Sequence, residues 1–193
     1  MEPFIRKYKA EDRENLRFIC RETAGGIFRK RESLLNSVPI LYNDYFTENE
    51  PQNIFVVDDG NGRAVGYIIC CSDVKKFRKL LVKEYIPRAV KSDIGMFPAC
   101  MAYLGSMILE GRKNGVHLHI DILPDFQRMG FGSELIDILR AHLYKNGISA
   151  LSVNTIDRKS SAYKFYIKYG FKENLHYAGD LVSLTIPTKE DAE

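Results

Sequence analysis

The amino-acid sequence predicts a single α/β domain, and three observations lead to this prediction. The chain has 193 residues, of which 45% are hydrophobic, so it can fill the core of one domain. A strand, a glycine-rich turn, a helix and a second strand follow one another over residues 116–154. This order predicts two parallel strands joined by a right-handed crossover. Residues 54–57 and 64–71 read as strands around Asp59-Gly60-Asn61-Gly62, which is a strong hairpin turn.

The elements of the first half follow from periodicity and turn residues. Alternation over residues 4–8 predicts a first strand, and residues 11–22 predict a helix that Gly25-Gly26 closes. A second helical region is expected between residues 29 and 46. From residue 73 the pattern turns helical again, with apolar side chains at helical spacing. Residues 91–111 fit no single element, and we therefore predict a helical insertion at 73–112, before the central strand.

The second half is easier to read. Pro124 ends a strand over residues 116–123, and an amphipathic helix follows over residues 132–145. Asn146-Gly147 ends that helix. The remaining predicted elements are a strand at 148–154, a helix at 160–169 capped by Gly170, and a strand at 182–186.

Composition excludes several classes of protein. The net charge of +3 comes from scattered basic residues, so the sequence does not predict a nucleic-acid binder. No basic and then apolar leader is visible at the start, and no run reaches the ~18 to 20 apolar residues of a membrane span. We therefore expect a cytoplasmic protein without membrane contact. Its four cysteines form no CxxC pair and are expected to be buried reduced thiols: Cys20, Cys70, Cys71 and Cys100.

The turn over residues 123–133 is the most informative segment. It lies between a strand and the start of a helix, where several amides lack a partner within the helix. The helix dipole adds partial positive charge there, which suits a phosphate group. Glycines let the backbone approach such a ligand closely. Arg128 can add a charge-assisted contact, and Ser133 can add a hydroxyl.

Two common phosphate-binding turns are excluded by the residues. No Gly-Lys-Ser/Thr follows, so the turn is not a Walker A loop, and a third glycine is missing for a Rossmann fingerprint. Ordinary loop glycines remain an alternative. The distinctive feature is the complete pattern Gln127-x-x-Gly130-x-Gly132 after a proline that ends a strand.

Two segments carry a family resemblance. Residues 116–143 resemble motif A of the GNAT N-acetyltransferase superfamily, whose signature Gln/Arg-x-x-Gly-x-Gly/Ala matches the pattern just described. Residues 161–171, which end in Phe165-Tyr166-Ile-Lys-Tyr-Gly-Phe, resemble its motif B. The resemblance implies the GNAT fold: a mixed, mostly antiparallel sheet with a splayed central parallel pair and helices on both faces. It also implies transfer of acetyl from acetyl-CoA to a primary amine by direct attack, without a metal.

The resemblance assigns roles to particular residues. It places the pantetheine and acetyl contacts on the backbone of Ile120, Ile122 and Leu123. Tyr166 matches the tyrosine that protonates the departing thiolate, although a core tyrosine is the alternative. Asn154 is a possible substitute for a cofactor contact, because Lys159 stands where many members have asparagine. The pyrophosphate contacts are assigned to the turn: Gln127, Arg128, Met129, Gly130, Phe131, Gly132 and Ser133.

The general base is predicted from strand geometry. His117, His119 and Asp121 lie on one face of their strand, because side chains alternate with a period of two. His119 is the leading candidate, with Asp121 orienting it or acting in its place. Glu110, on an expected preceding strand, is a weaker candidate. The alternatives are a zinc site made by the same three residues and a set of hydrogen-bonded polar groups in the cleft floor.

Two functions from different classes remain open. The first is the N-acetyltransferase, acting on a small-molecule or peptide amine as a monomer or homodimer. The second is a pseudo-acetyltransferase that binds acetyl-CoA as a sensing or interaction module. Residues 117–124 favour the second, since they are similar to the acetyltransferase-like region of O-GlcNAcase. A purely structural domain would leave both motifs unexplained. The substrate pocket is expected from residues 25–50 and from the insertion.

Overall fold

In the computed structural model, residues 1–110 and 116–189 are described. The strands within these ranges form one sheet. They are β1 (Phe4–Lys7), β2 (Ile54–Asp58), β3 (Ala64–Cys70), β4 (Val116–Ile122), β5 (Ala150–Asp157), β6 (Lys172–His176) and β7 (Leu181–Pro187). Their order across the sheet is β1-β2-β3-β4-β5-β7-β6.

Helices flank this sheet. They are α1 (Arg13–Thr23), α2 (Glu32–Tyr42), α3 (Asp44–Asn49), α4 (Val74–Leu80), α5 (Ile86–Ser92), α6 (Phe97–Glu110), α7 (Phe131–Lys145) and α8 (Ser161–Tyr169). One π-helical turn, Leu81–Tyr85, joins α4 to α5. No helix in the described ranges is long and apolar enough to cross a membrane.

The central strands β4 and β5 are the only parallel neighbours in the described sheet, and they separate soon after they meet. Their pairing is confined to Val116 with Leu151 and His117 with Ser152. Beyond those residues β4 continues beside β3, while β5 continues beside β7. The gap that opens between them is called the splay below. The predicted fold class, with its mostly antiparallel sheet and splayed parallel pair, is confirmed.

Hydrophobic cores lie on both faces of the sheet. On one face the helices α1 to α6 pack around residues such as Leu16, Tyr45 and Tyr85. On the other, α7 and α8 pack around Leu135 and Tyr166. Because side chains alternate along β4, its histidines face the first core and its leucine and isoleucines face the second.

Several elements differ from the sequence prediction. Glu110 ends α6 instead of belonging to a strand, and the segment around it was not recognised as helical. Pro98 and Gly105 both disfavour a helix, but Pro98 lies in the first turn, where a missing amide proton costs little. β6 was missed because its residues are polar and mostly exposed, so they show no apolar alternation.

Part of the insertion predicted at 73–112 lies outside the described ranges. Residues 74–110 form α4, the π turn, α5 and α6, whereas residues 111 and 112 are not described. The single-domain organisation with an insertion at 73–112 stays a prediction. The four cysteines are buried and free, as expected from their spacing.

Candidate active site

The backbone of β4 presents free polar groups to the splay. The Cys71 amide donates to the His117 carbonyl at 3.0 Å, and the Leu123 amide donates to the Val65 carbonyl at 2.9 Å. In an antiparallel ladder the residues between such pairs turn their backbone groups to the opposite edge. The backbone groups of Ile120 and Ile122 therefore face the side from which β5 has departed. An extended ligand with amide groups can bind there.

Leu123 does not share this property. Its amide is used by Val65, and its carbonyl accepts a hydrogen bond from the Phe126 amide at 2.9 Å. The expected backbone contact from Leu123 stays a prediction, and it would have to use the second lone pair of the carbonyl, since the amide is engaged. Gln127 also has an internal role, because its Nε2 donates to the Ile122 carbonyl at 2.7 Å and secures the turn against β4.

The glycine turn exposes a run of amides. The Gln127 amide donates to the Pro124 carbonyl at 3.2 Å, and the Ser133 amide donates to the Gly130 carbonyl at 3.0 Å. Within the described ranges, the amides of residues 128–132 between them have no backbone acceptor. These consecutive donors lie at the N-terminus of α7, where the helix dipole favours an anion. The backbone anion site is thus narrower than predicted, since the Ser133 amide is engaged.

Two residues of this turn have left-handed backbone conformations. Arg128 has a φ of 62° and Gly130 a φ of 92°. For a side chain other than glycine this conformation costs about 1 kcal/mol or more. A methyl group at Gly130 would meet nothing within 4 Å, so its glycine is required by conformation alone. An alternation of left-handed and right-handed backbone conformations of this kind turns successive amides toward one point.

Gly132 favours close packing instead of a special backbone conformation. A Cβ there would lie 3.1 Å from Cζ of Phe165 on α8, which is tighter than an ordinary contact. The absent side chain lets α8 pack closely against the first turn of α7. Gly132 therefore serves packing between the two motifs, whereas Gly130 serves the shape of the anion site.

Tyr166 projects from α8 into the second core and is 3% exposed. Its ring contacts Phe165 and Phe171, at centroid distances of 5.2 and 5.1 Å. Burial, and then the charge of Asp121, raise the pKa of its phenol. The hydroxyl therefore stays protonated at neutral pH. Because a thiol ordinarily titrates near 8.5, this phenol can hydrogen-bond to a departing thiolate more readily than it can give up its proton.

His119 belongs to a cluster of three polar side chains. Tyr103 Oη lies 2.8 Å from His117 Nε2 and 3.0 Å from His119 Nε2. The two imidazole nitrogens are 3.1 Å apart. Each Nε2 either donates or accepts, and the phenol has one proton. Two of the three contacts can therefore be hydrogen bonds at once, and Tyr103 can relay a proton between the two rings.

Burial sets the charge state of this cluster. It lowers the pKa of His119 to about 4, and it lowers the pKa of His117 well below its usual value. Burial raises the pKa of Tyr103. All three side chains are therefore neutral at pH 7, and the imidazoles are free to accept a proton.

Asp121 is separate from this cluster. Its Oδ2 accepts a hydrogen bond from Tyr67 Oη at 2.5 Å, across the β3–β4 ladder. Burial raises the pKa of the Asp121 carboxyl, while its hydrogen bonds with Tyr67 and Thr23 act in the opposite direction. The expectation that Asp121 orients His119 is thus corrected: its cross-strand neighbour Tyr67 holds the carboxylate, and Tyr103 holds the imidazole.

The same arrangement bears on the zinc alternative. The third ligand of that set would be Asp121, which is turned to Tyr67 instead of the histidines. Among residues 1–110 and 116–189, no three His, Cys, Asp or Glu side chains converge as a metal site. The histidine cluster is instead completed by a tyrosine.

A cavity of about 320 Å³ adjoins the splay. His119 lines it from β4 and Asn154 lines it from β5, so the two strands that separate each contribute a polar group. The complete set of lining residues is Tyr42, Ala99, Ala102, Tyr103, His119 and Asn154. They come from α2 and α6 as well as the sheet, within the two segments expected to build a substrate pocket.

Asn154 has an unsatisfied acceptor. Its Oδ1 is buried and has no hydrogen-bond partner among the described residues. The register of β5 against β7 shifts between Val153 and Ile156, so Asn154 lies in an irregular part of the strand. Irregularities of this kind redirect a side chain next to many active sites. A buried acceptor without a partner is costly, and a ligand N–H at the cavity would remove that cost.

Tyr42 and Tyr103 were not identified from the sequence. Both are aromatic residues on helices that pack against the sheet, and such residues usually serve the core. Only the position of α6 over the end of β4 brings Tyr103 to the histidines. The one available signal in the sequence was the pair His117 and His119, because two imidazoles covered by a helix require a polar partner on that helix.

Comparison with known proteins agrees with this geometry. Residues 99–173 match the family model described as the acetyltransferase (GNAT) domain. The solved structure of a protein called SsHAT is 27% identical, with a TM-score of 0.83 over 98% of this chain and 100% of that one. PaiA N-acetyltransferase from Thermoplasma acidophilum, solved with coenzyme A, is 16% identical, with a TM-score of 0.61 over 97% of this chain and 99% of that one.

A further structure extends the same pattern. YncA from Salmonella typhimurium, solved with its cofactor acetyl-CoA, is 15% identical, with a TM-score of 0.58 over 100% of this chain and 98% of that one. These matches extend over nearly the whole chain, and the family model spans β4, the glycine turn, α7, β5 and α8. The chain therefore has the GNAT fold, and residues 99–173 match the GNAT acetyltransferase family.

Proposed function

We propose that this protein is an N-acetyltransferase that moves an acetyl group from acetyl-CoA to a primary amine. The observation that carries this proposal is the arrangement along the splay. Free amides at residues 128–132 lie at the start of α7, and a cavity with a neutral histidine lies beside β4 and β5. An anion site and a proton acceptor beside one gap in the sheet suit the two substrates of such a reaction.

The residues present fit acetyl-CoA. The amides of residues 128–132 would bind its pyrophosphate, with Arg128 adding positive charge. Ile120 would bind its pantetheine arm through its amide and carbonyl, and Ile122 through its amide, because the Ile122 carbonyl already accepts from Gln127 Nε2. The unsatisfied Oδ1 of Asn154 would accept one of its amide protons. When bound, acetyl-CoA supplies the thioester that the amine attacks.

His119 is proposed as the proton acceptor. With a pKa of about 4 it is too weak a base to deprotonate a free ammonium ion efficiently. The amine must therefore react in its neutral form. Its nitrogen becomes much more acidic once it bonds to the carbonyl carbon, and a weak neutral base is then sufficient. The proton can pass from His119 to His117 through Tyr103.

Tyr166 is proposed to assist the leaving group. Burial and the charge of Asp121 raise its pKa and keep the proton on the phenol. It would donate a hydrogen bond to the sulfur as negative charge develops there. Asp121 is left out of the catalytic set, since its hydrogen bond to Tyr67 gives it a structural role.

A second candidate is a module that binds acetyl-CoA without efficient transfer. The low pKa of His119 and the engagement of Asp121 by Tyr67 favour it, because both weaken the supply of a base. The comparisons give no support to the finer resemblance to O-GlcNAcase, and neither candidate depends on it. Action in the cytoplasm as a monomer or homodimer is part of the same proposal.

The test is a calorimetric titration of the purified protein with acetyl-CoA, followed by thiol release across a panel of primary amines. Saturable binding with amine-dependent thiol release is expected. Binding without release from any amine would favour the module. No binding at all would contradict both candidates, because each requires the anion site at residues 128–132.

A further inference from the structure

The walls of the cavity consist of aromatic side chains and small alanine side chains. The rings of Tyr42 on α2 and Tyr103 on α6 lie with their centroids 5.0 Å apart, at an interplanar angle of 54°. Tyr42 also contacts His119 edge to face, at 5.8 Å. Ala99 and Ala102 are three residues apart on α6, so their methyl groups share one helix face. The body of a ligand in this cavity would contact aromatic carbon and methyl groups.

The cavity also lacks charge among its described lining residues. His119 is neutral at pH 7, because burial lowers its pKa to about 4. Burial raises the pKa of both tyrosines, so neither becomes an anion. Asn154 has no charge. A carboxylate that would balance a second positive group of a substrate is therefore missing from the described walls.

The nearest carboxyl on the strand is already engaged. Asp121 lies on the same face of β4 as His119, but it accepts a hydrogen bond from Tyr67 at 2.5 Å and does not line the cavity. Moving it toward a ligand would leave the buried Tyr67 hydroxyl without this acceptor. A second ammonium or guanidinium group held against these walls would thus lose part of its hydration without gaining a counter-charge, which is costly.

The size of the cavity points the same way. A volume of about 320 Å³ is at the lower end for small-molecule sites. Such a space encloses a compact body, one aromatic ring or a short alkyl chain, with its amine at the polar end formed by His119 and Asn154.

We infer that the acceptor is a compact primary amine whose body is apolar or aromatic and carries no second charge. Its body packs between Tyr42 and Tyr103 over Ala99 and Ala102, and its nitrogen lies at His119. This inference rests on the proposed function for the reaction, but the selectivity itself is a property of binding. It excludes diamines, guanidino amines and other doubly charged acceptors.

The test compares two amines that differ by a single charge, n-hexylamine and 1,6-diaminohexane, with benzylamine as an aromatic acceptor. Thiol release is measured at a fixed saturating concentration of acetyl-CoA. The expected kcat/KM is at least about ten-fold higher for n-hexylamine than for the diamine. Equal values for the two amines, or a preference for the diamine, would overturn the inference while leaving acetyl transfer established.

A variant tests whether the cavity wall causes the selectivity. Ala102 is exposed at the surface of α6 and lines the cavity, so Ala102→Asp adds a carboxylate without disturbing the core. It is expected to raise kcat/KM for the diamine relative to n-hexylamine by about ten-fold or more. Met101→Asp is the matched control, because Met101 is 39% exposed on the same helix and does not line the cavity. An equal effect of both substitutions would contradict the assignment of the pocket.

A binding measurement separates this inference from the proposed function. Each amine is titrated calorimetrically into the protein saturated with coenzyme A. Binding of n-hexylamine or benzylamine with at least about ten-fold weaker binding of the diamine supports the inference, even where no acetyl transfer occurs. Failure of all three amines to bind, or equal binding, refutes it. Lack of thiol release despite selective binding would count against the proposed reaction alone.

Discussion

Tyr103 Oη lies 3.0 Å from His119 Nε2 and joins helix α6 to the central strand β4. The same oxygen lies 2.8 Å from His117 Nε2, so one phenol serves the buried His117 and the half-buried His119. The nearby carboxylate of Asp121, which is the usual type of partner for a catalytic histidine, is held by Tyr67 instead. The proton acceptor of this site is therefore supported by a neutral relay.

Removal of the Tyr103 hydroxyl should slow the reaction. Tyr103→Phe removes the phenol that links His119 to His117 and leaves only the direct 3.1 Å contact between their Nε2 atoms. We expect kcat to fall by about 10²-fold, within the range for loss of acid–base assistance. The Kd of acetyl-CoA should stay unchanged, as measured by calorimetry. Tyr144→Phe is the control, because Tyr144 is exposed on α7. An unchanged kcat in Tyr103→Phe would show that no relay operates.

The pH dependence of the rate should reflect the low pKa of His119. Its imidazole accepts a proton only near pH 4. Protonation of the amine itself lowers kcat steadily as pH falls, but log kcat should show no additional break around pH 6.5, where an ordinary histidine titrates. A profile of kcat against pH between 4 and 8, with the amine saturating at each pH, measures this. A decline centred near pH 6.5 that disappears in His119→Gln would contradict the burial of this base.

Stability should fall in acid because of the same histidines. An unfolded histidine binds a proton near pH 6.5, whereas folded His119 does so only near pH 4. Between these values the unfolded state holds more protons, so the free energy of unfolding decreases as pH falls from about 6.5 toward 4. Above pH 6.5 this contribution is constant. At roughly 2–4 °C of Tm per kcal/mol, thermal unfolding should show a loss of several degrees.

A variant without the two histidines of the cluster provides the comparison for this measurement of Tm against pH. The double variant His117→Gln, His119→Gln should show a smaller decrease in Tm between pH 7 and pH 5 than the unaltered protein. The reason is that it lacks both histidines whose pKa values are lowered in the folded state. The carboxyl of Asp121 has a raised pKa and acts in the opposite direction at lower pH. An identical acid slope in both proteins would mean that the histidines titrate normally.

The two glycines of the turn should give different phenotypes. Gly130→Ala introduces strain at a φ of 92°, which disturbs the conformation that presents the amides of residues 128–132. We therefore expect weaker acetyl-CoA binding with a loss of about 1 kcal/mol in stability. Gly132→Ala brings Cβ to 3.1 Å from Phe165. It should lower stability with little effect on Kd, and Phe165→Leu should restore that stability. Calorimetry measures acetyl-CoA binding, and thermal unfolding measures the stability of each variant. Weaker binding in Gly132→Ala together with normal binding in Gly130→Ala would refute these roles.

Tyr166 should affect turnover more than binding. Tyr166→Phe keeps the ring in its contacts with Phe165 and Phe171 but removes the donor to the sulfur. We expect kcat to fall by about 10-fold to 10²-fold, as for loss of one preorganised donor, with the Kd of acetyl-CoA within two-fold, or about 0.4 kcal/mol, of its original value. Thiol release and calorimetry measure the two quantities. A normal kcat would return Tyr166 to a purely structural role in the core.

Local sequence determined the parts of this protein that depend on neighbouring residues. The hairpin around Gly60 and Gly62, the glycine turn before α7 and the cap of α8 at Gly170 each require particular residues within a few positions. The order of strand, turn, helix and strand then predicted the parallel pair. Motif positions such as Gly130 and Tyr166 belong to these same local segments.

Tertiary structure alone decided the composition of the site, because its contacts join residues far apart in the chain. Tyr42 and Ala102 reach the cavity only through the packing of α2 and α6 on the sheet, and neither has a local signal. Register placed Tyr67 opposite Asp121 and so removed a predicted partner of His119. Burial then lowered the pKa of that histidine. Local periodicity specifies which face a side chain occupies, but its partner and its charge depend on what covers that face.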